Sequence, residues 1–255
     1  MYHSIGTSSH TEVGAGLYCV DVENFRKQME YIAEKRGVNS QWPIADSQRN
    51  KNYRLSTIDY RPVVITFDDG LLDNYTNAYP ILKGLGLKAH FFILASKIGT
   101  QGFMDWGQIR ELKKEGMHIG SHGMTHRILT ELTEVDREYE LKESKKILED
   151  GAGCAIESFS IPRGFYNKQV IEKAAEAGYK AMYTSNPKDN DGCAFGRIAV
   201  KGEWDINYFI RIINRGLSLK DKAKELLKNT SKKLLGAGKY DKIRSRILRR
   251  AYKNS

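Results

Sequence analysis

Apolar positions along the chain alternate between two patterns. Short runs rich in β-branched and aromatic residues, at 63–67, 88–94 (KAHFFIL), 117–121, 158–161 and 179–184, read as buried strands. Longer segments repeat apolar residues at helical spacing. One is 20–36, where Val22, Phe25, Met29, Ile32 and Ala33 share a face, Asp21 is placed to cap and Gly37 to terminate. Others are 71–85, stopped by Gly84 and Gly86, then 105–115, the charged stretch 133–149, and 167–177, closed by Gly178. Residues 39–59 are polar and read as loop. Strands alternating with helices of this length predict parallel strands with helices outside, an α/β fold built as a barrel or a doubly wound sheet.

Composition narrows the picture. The 255 residues are 40% apolar, enough for one sizeable core, and five prolines with no internal period argue against a repeat array. The net charge of +10 is not spread over the chain. Residues 219–255 hold thirteen lysines and arginines against three acids, which accounts for the whole excess and leaves the body neutral. The expected organisation is a barrel over 1–215 and a basic amphipathic helical tail over 216–255. In the tail, Leu226, Leu227, Leu234, Leu235, Ile243, Ile247 and Leu248 recur at helical spacing among the lysines. Such a helix either lies on an anionic membrane surface or packs on the barrel by its apolar stripe. Nucleic acid is not an expected partner, because no aromatic-basic motif accompanies the charge. Three cysteines, Cys19, Cys154 and Cys193, with no C-x-x-C spacing suggest neither a disulfide framework nor a cysteine zinc site. With no leader pattern and no apolar run long enough to cross a bilayer, the expected location is the cytoplasm, with peripheral attachment to the inner face of the membrane open through the tail.

The candidate chemistry begins at VVITFDDG, residues 63–70. Asp68 and Asp69 end a predicted strand, on the rim where α/β folds bind ligands, and two adjacent carboxylates repel unless a positive group lies between them. A metal ion is the simplest such group. GMHIGSHGMTH, residues 116–126, ends a second predicted strand on the same rim. Its His122 and His126 lie four apart, which on a helical turn brings both imidazoles to one side. One carboxylate and two imidazoles make a facial set that leaves coordination positions free for water and substrate.

TFDDG (66–70), SHGMTH (121–126) and SFSIPRGFY (158–166), in this order and spacing, resemble the polysaccharide deacetylases, the NodB-homology group of carbohydrate esterase family four. The resemblance runs from about Tyr2 to Phe209. It implies a distorted (β/α) barrel with a divalent metal, most often Zn2+, that removes acetyl groups from an N-acetylated glycan. By the same resemblance Asp69, His122 and His126 hold the metal, Asp68 is the general base, and the backbone N–H of Arg163 stabilises the oxyanion. The histidine of the group's late L-x-H motif has no counterpart after His126. The chain is similar instead to the poly-β-1,6-N-acetylglucosamine deacetylase subgroup, whose early histidine corresponds to His3 as general acid. Arg197 matches a late-strand arginine that orients the base, or forms a structural ion pair. The Arg163 side chain meets an anionic substrate group or reaches solvent. His90 and His118 read as structural, Trp106, Phe91, Phe92 and Phe103 as core, and Tyr166 as a residue able to stack on a sugar ring. The implied activity is N-deacetylation of an N-acetylhexosamine-containing polysaccharide or lipid-linked precursor in envelope or capsule biosynthesis. An O-acetyl esterase and a catalytically silent carbohydrate-binding barrel are the alternatives.

Overall fold

A computed structural model of the chain describes residues 1–6, 15–35, 63–190 and 194–236, together with 238–240, 242, 243 and 246. The polar stretch 39–59, His10, Cys193, Ile247 and Leu248 lie outside the described residues. Two short parallel strands, β1 (Ser4–Ile5) and β2 (Cys19–Val20), precede a six-stranded parallel sheet. Its members, β3 (Thr66–Phe67), β4 (His90–Ile93), β5 (His118–Ser121), β6 (Ser158–Ser160), β7 (Ala181–Thr184) and β8 (Ala194–Gly196), are neighbours in chain order. Strands that pair strictly in order curl in one sense as the sheet twists, and the two edges approach each other. Residues 1–2 bridge them: the Tyr2 N–H donates to Thr66 O, the Asp68 N–H donates to Tyr2 O, and the Val200 N–H donates to Met1 O. The result is a curled six-stranded half-barrel, consistent with the distorted (β/α) barrel that the family resemblance implies.

The helices follow their signals closely. The α1 helix (Val22–Lys35) starts at Asp21, whose carboxylate accepts from the Glu23 and Asn24 N–H groups. After the α2 helix (Tyr79–Gly84), the α3 helix (Trp106–Lys114) opens with a capping box between Asp105 and Gln108. Residues predicted as one charged helix form α4 (Glu134–Glu138), a π-helical stretch Tyr139–Glu143, and α5 (Ser144–Ala152), which ends at a left-handed Gly153. A second π-helical stretch, Asn74–Ala78, leads into α2. The α6 helix (Lys168–Glu176) is capped by Asn167. Phe25, Phe67, Phe91, Phe92 and Phe159 are fully buried around the sheet. Trp106 is only partly buried and packs against this core from outside.

The amphipathic α7 helix (Ile206–Arg215), capped by Asp205, has no counterpart in the predicted elements. Beyond it α8 (Leu219–Leu235) opens with a capping box between Ser218 and Asp221. Its apolar residues do not pack on the barrel. Leu219, Leu226, Leu227 and Leu234 are 85%, 55%, 69% and 81% exposed, which rules out, for 219–235, the alternative in which the apolar stripe packs on the barrel. Polar contacts dock it instead: Asp221 accepts from Tyr208 and Arg211, Asn229 donates to Asn186, and Lys232 donates to the Arg163 carbonyl.

Candidate active site

The two adjacent carboxylates sit where β3 ends. Asp69 has φ of 76°, in the left-handed region, and Gly70 follows at 75°. A Cβ on Gly70 would stand 3.1–3.3 Å from Ile93, so glycine is required both by the turn and by the close approach of β4. Asp69, His126 (φ 65°) and Arg163 (φ 60°) are the non-glycine residues with positive φ among the described residues. All three belong to the predicted site, and strain of this kind persists where surrounding contacts hold the backbone in place.

Asp68 is buried in the barrel mouth and gripped at both oxygens. Arg197 Nη1 donates to Oδ1 at 2.7 Å, Nη2 donates to Oδ2 at 2.8 Å, and Ser160 Oγ donates to Oδ2 at 3.1 Å. Arg197 follows β8, and its guanidinium lies 5.3 Å from the Phe92 ring centre and 5.6 Å from that of Tyr183. Burial pushes the Asp68 carboxyl up, but Arg197 and His122 outweigh it and hold the group at about 2. It is therefore ionised at any working pH. Both readings offered for Arg197 require this ion pair, and it is present with two parallel N–H···O bonds.

His122 and His126 follow β5, but not on a helical turn as their spacing suggested. They lie on a loop that passes through Gly123 (φ 86°) and the left-handed His126. Glu140, fully buried on the π-helical stretch, holds this loop by accepting from the Met124 and Thr125 N–H groups at 2.8 and 2.9 Å and from the Thr125 hydroxyl. His122 Nδ1 lies 2.8 Å from the Ser160 carbonyl, which can only accept. The ring therefore carries its proton on Nδ1 and leaves the Nε2 lone pair for the site.

The ligand atoms of Asp69, His122 and His126 lie within 4.8 Å of one another. Asp69 Oδ1 is buried without a hydrogen-bond partner, 3.4 Å from His122 Nε2 and 3.7 Å from His126 Nε2. Ligands about 2.1 Å from a tetrahedral ion stand about 3.4 Å apart, so this donor set fits a divalent cation. One carboxylate and two imidazoles suit zinc and several other transition metals. Burial raises the Asp69 pKa, yet His122, His126 and His3 overcome it and hold the carboxyl far below the usual carboxylate range. Burial lowers the His122 pKa, and Asp68 and Asp69 reverse this to leave it raised.

His3 reaches the same rim through the bridging segment. Its carbonyl accepts from Asn74 Nδ2 at 2.6 Å and its ring packs on Tyr18 at 5.0 Å. Burial pulls its imidazole down, with Asp69 and Asp68 opposing. His3, Asp68, Asp69, His122 and His126 line one cleft of about 1210 Å³, together with Arg163, Phe103 and lysines of α8. Phe103 thus faces the cleft and not the core, whereas Tyr166 packs against the core and is not among the residues lining the cleft. His90 and His118, at the first positions of β4 and β5, stack on each other at 4.5 Å. Sequence reasoning assigned no role to Ser160, Glu140 or Asn74. Ser160 lay within a quoted motif. The other two are polar residues in helical stretches, with no local signal that they point inward.

Comparison with known proteins bears on the family and the fold. Residues 56–182 match the polysaccharide deacetylase family model. The Bacillus subtilis protein YxkH, which carries the polysaccharide deacetylase name, is 31% identical over 191 residues, 73% of this chain and 63% of that one. A peptidoglycan-N-acetylglucosamine deacetylase of Bacillus cereus is 28% identical over 131 residues, 50% of this chain and 59% of its own length. The chain thus spans about six-tenths of the length of these relatives. The solved structure of the Streptococcus pyogenes deacetylase PplD, in complex with acetate, superposes with a TM-score of 0.70 at 24% identity, covering 84% of this chain and 96% of that one.

Proposed function

The chain belongs to the polysaccharide deacetylases, the NodB-homology group of carbohydrate esterase family four, and from that premise we propose that it hydrolyses the acetamide of N-acetylhexosamine units in a glycan. The observation that carries the reading is the convergence of Asp69, His122 and His126 beside an ionised Asp68 whose orientation is fixed by Arg197.

Asp69, His122 and His126 hold the divalent cation, Zn2+ being the best match to the donor set. When bound, such an ion lowers the pKa of water and polarises the acetamide carbonyl. Asp68 takes a proton from the attacking water. Oδ2 is committed to Arg197 and Ser160, whereas Oδ1 accepts from Arg197 and keeps a second lone pair for that proton. The Arg163 N–H donates to the developing oxyanion. His3 delivers a proton to the departing sugar amine, so that acetate and free amine leave. Asn74 and Tyr18 hold His3 in place through its carbonyl and its ring.

The test is release of acetate from N-acetylglucosamine oligomers by the zinc-loaded protein. Appearance of a stoichiometric free amine supports the reading. Release only from an O-acetylated glycan would make the protein an esterase, and no release from either would leave a carbohydrate-binding barrel.

For the outward face of α8 we propose an anionic bilayer as partner, supported by the exposed Leu219, Leu226, Leu227 and Leu234 flanked by lysines. Among the described residues no helix is long and apolar enough to cross a membrane, so this attachment is peripheral. Co-sedimentation with phosphatidylglycerol vesicles, lost in Leu226→Gln/Leu227→Gln, supports it; a pellet unaffected by the substitutions counts against it.

A further inference from the structure

The α8 helix is amphipathic in the reverse of the usual sense. A surface helix normally turns its apolar stripe inward and its charges to water. Here the leucines face solvent, while Lys220, Lys224, Lys228 and Lys232 line the cleft above the metal ligands. These four lysines recur every fourth residue, so they form one row along a helix face, about 6 Å per step and about 18 Å in all. Like charges at that spacing repel and weaken a helix, a cost that packing does not explain because the helix docks by polar contacts.

Acids on the same wall do not cancel the row. Asp221 is committed to Ser218, Tyr208 and Arg211. Glu225 pairs with Lys228 at 2.5 Å. Lys220 and Lys224 have no carboxylate against them among the described residues. Lys232 reaches furthest in: Nζ donates to the Arg163 carbonyl at 3.1 Å and sits 4.4 Å from the Phe165 ring centre, joining the row to the segment that carries the oxyanion donor. Above the floor formed by Asp68, Asp69 and Arg197, lysines and arginines outnumber acids two to one along the cleft.

We propose that the α8 lysines form a cationic rail along which an acidic glycan lies, so that the substrate is an N-acetylated polysaccharide carrying repeated anions, uronate or phosphodiester. The inference takes the sugar chemistry from the deacetylase reading, but the rail is a binding property and is tested apart from turnover. A neutral chitin-like chain gains nothing from such a wall. An anionic polymer gains at every step, and its charges fix the register that brings one acetamide over Asp69.

Calorimetric titration of the full chain compares three probes: an N-acetylglucosamine pentamer, a hyaluronan octamer bearing uronates, and a phosphodiester-linked oligomer bearing N-acetylglucosamine. At low salt one or both acidic probes should bind at least about tenfold more tightly than the neutral one, with the preference shrinking as salt rises. The tighter acidic probe identifies the anion. Lys220→Gln/Lys224→Gln should lose roughly threefold per lysine of that preference, and Lys220→Arg/Lys224→Arg should keep it. Equal affinity for neutral and acidic chains overturns the rail. So does a glutamine double variant that is folded by circular dichroism and retains the full preference. Tight binding of an acidic oligomer that zinc-loaded protein never deacetylates would sink the deacetylase reading and leave the rail standing.

Discussion

Asp68 and Arg197, 129 residues apart in the chain, meet through two parallel N–H···O bonds of 2.7 and 2.8 Å in the barrel mouth. The fork fixes the carboxylate plane as a single charge could not, because lysine offers one point of attachment where guanidinium offers two. Arg197→Lys should therefore keep the zinc content and KM of the wild type while losing kcat by about tenfold to a hundredfold. Arg197→Met should in addition lose roughly 3–5 kcal/mol of stability, because it strands a buried carboxylate. A lysine variant with wild-type kcat would remove Arg197 from the positioning of the base.

The division of labour between the two adjacent aspartates makes a second prediction. Asp69 faces two imidazole nitrogens, whereas Asp68 faces Arg197 and Ser160. Asp68→Asn should bind zinc at one equivalent and release no acetate. His122→Ala should lose both, and a chelator should abolish wild-type activity reversibly. Metal analysis beside the acetate assay separates the outcomes; an Asp68→Asn protein that loses its zinc would show that the two carboxylates had been assigned the wrong way round.

Much of this site was legible in the chain because its chemistry is carried by unusual residues at strand ends. An acidic pair before a glycine and an H-x-x-x-H after an apolar run both fall on the rim once the βα alternation is read. The conformation of the histidine loop was not legible, since spacing by four fits a helical turn as well as a loop through a left-handed His126. Glu140 was hidden for a related reason. In sequence it is one glutamate among many on a charged segment, and a π-helical turn is what rotates it inward. The α8 helix was read as helix with its orientation left open, because amphipathicity identifies two faces without saying which one meets the protein.

Glu140 gives the third prediction. Its carboxylate accepts from three donors on the loop between the two histidines and is not part of the Asp69, His122 and His126 cluster. Glu140→Ala removes the acceptor on which the Met124 and Thr125 N–H groups converge, so the loop must shift. Such supporting changes typically weaken metal affinity by about tenfold to a hundredfold. A competition titration with a zinc chelator reads this directly. Unchanged affinity in a folded variant would mean that the loop holds its shape without Glu140.

The stacked His90 and His118 make a prediction about pH that is independent of catalysis. Burial, reinforced by the neighbouring charges of His118 and Arg197, pulls His90 down to about 3. In the unfolded chain the same ring titrates near 6.5. Between these values the unfolded state takes up a proton that the native state refuses, so stability is full above about 6.5 and falls as pH drops toward 3. The ceiling for this single group is roughly 5 kcal/mol. His122, whose pKa is raised, works in the opposite direction, and Asp68, held at about 2, begins to cost stability only below about 4. The difference between wild type and His90→Leu therefore isolates the effect. Urea unfolding of both proteins at several values between pH 7 and pH 4.5 should show wild-type stability declining more steeply with acid than the variant's. Parallel curves would place the His90 ring in contact with water or a proton donor and remove it from the buried, neutral state.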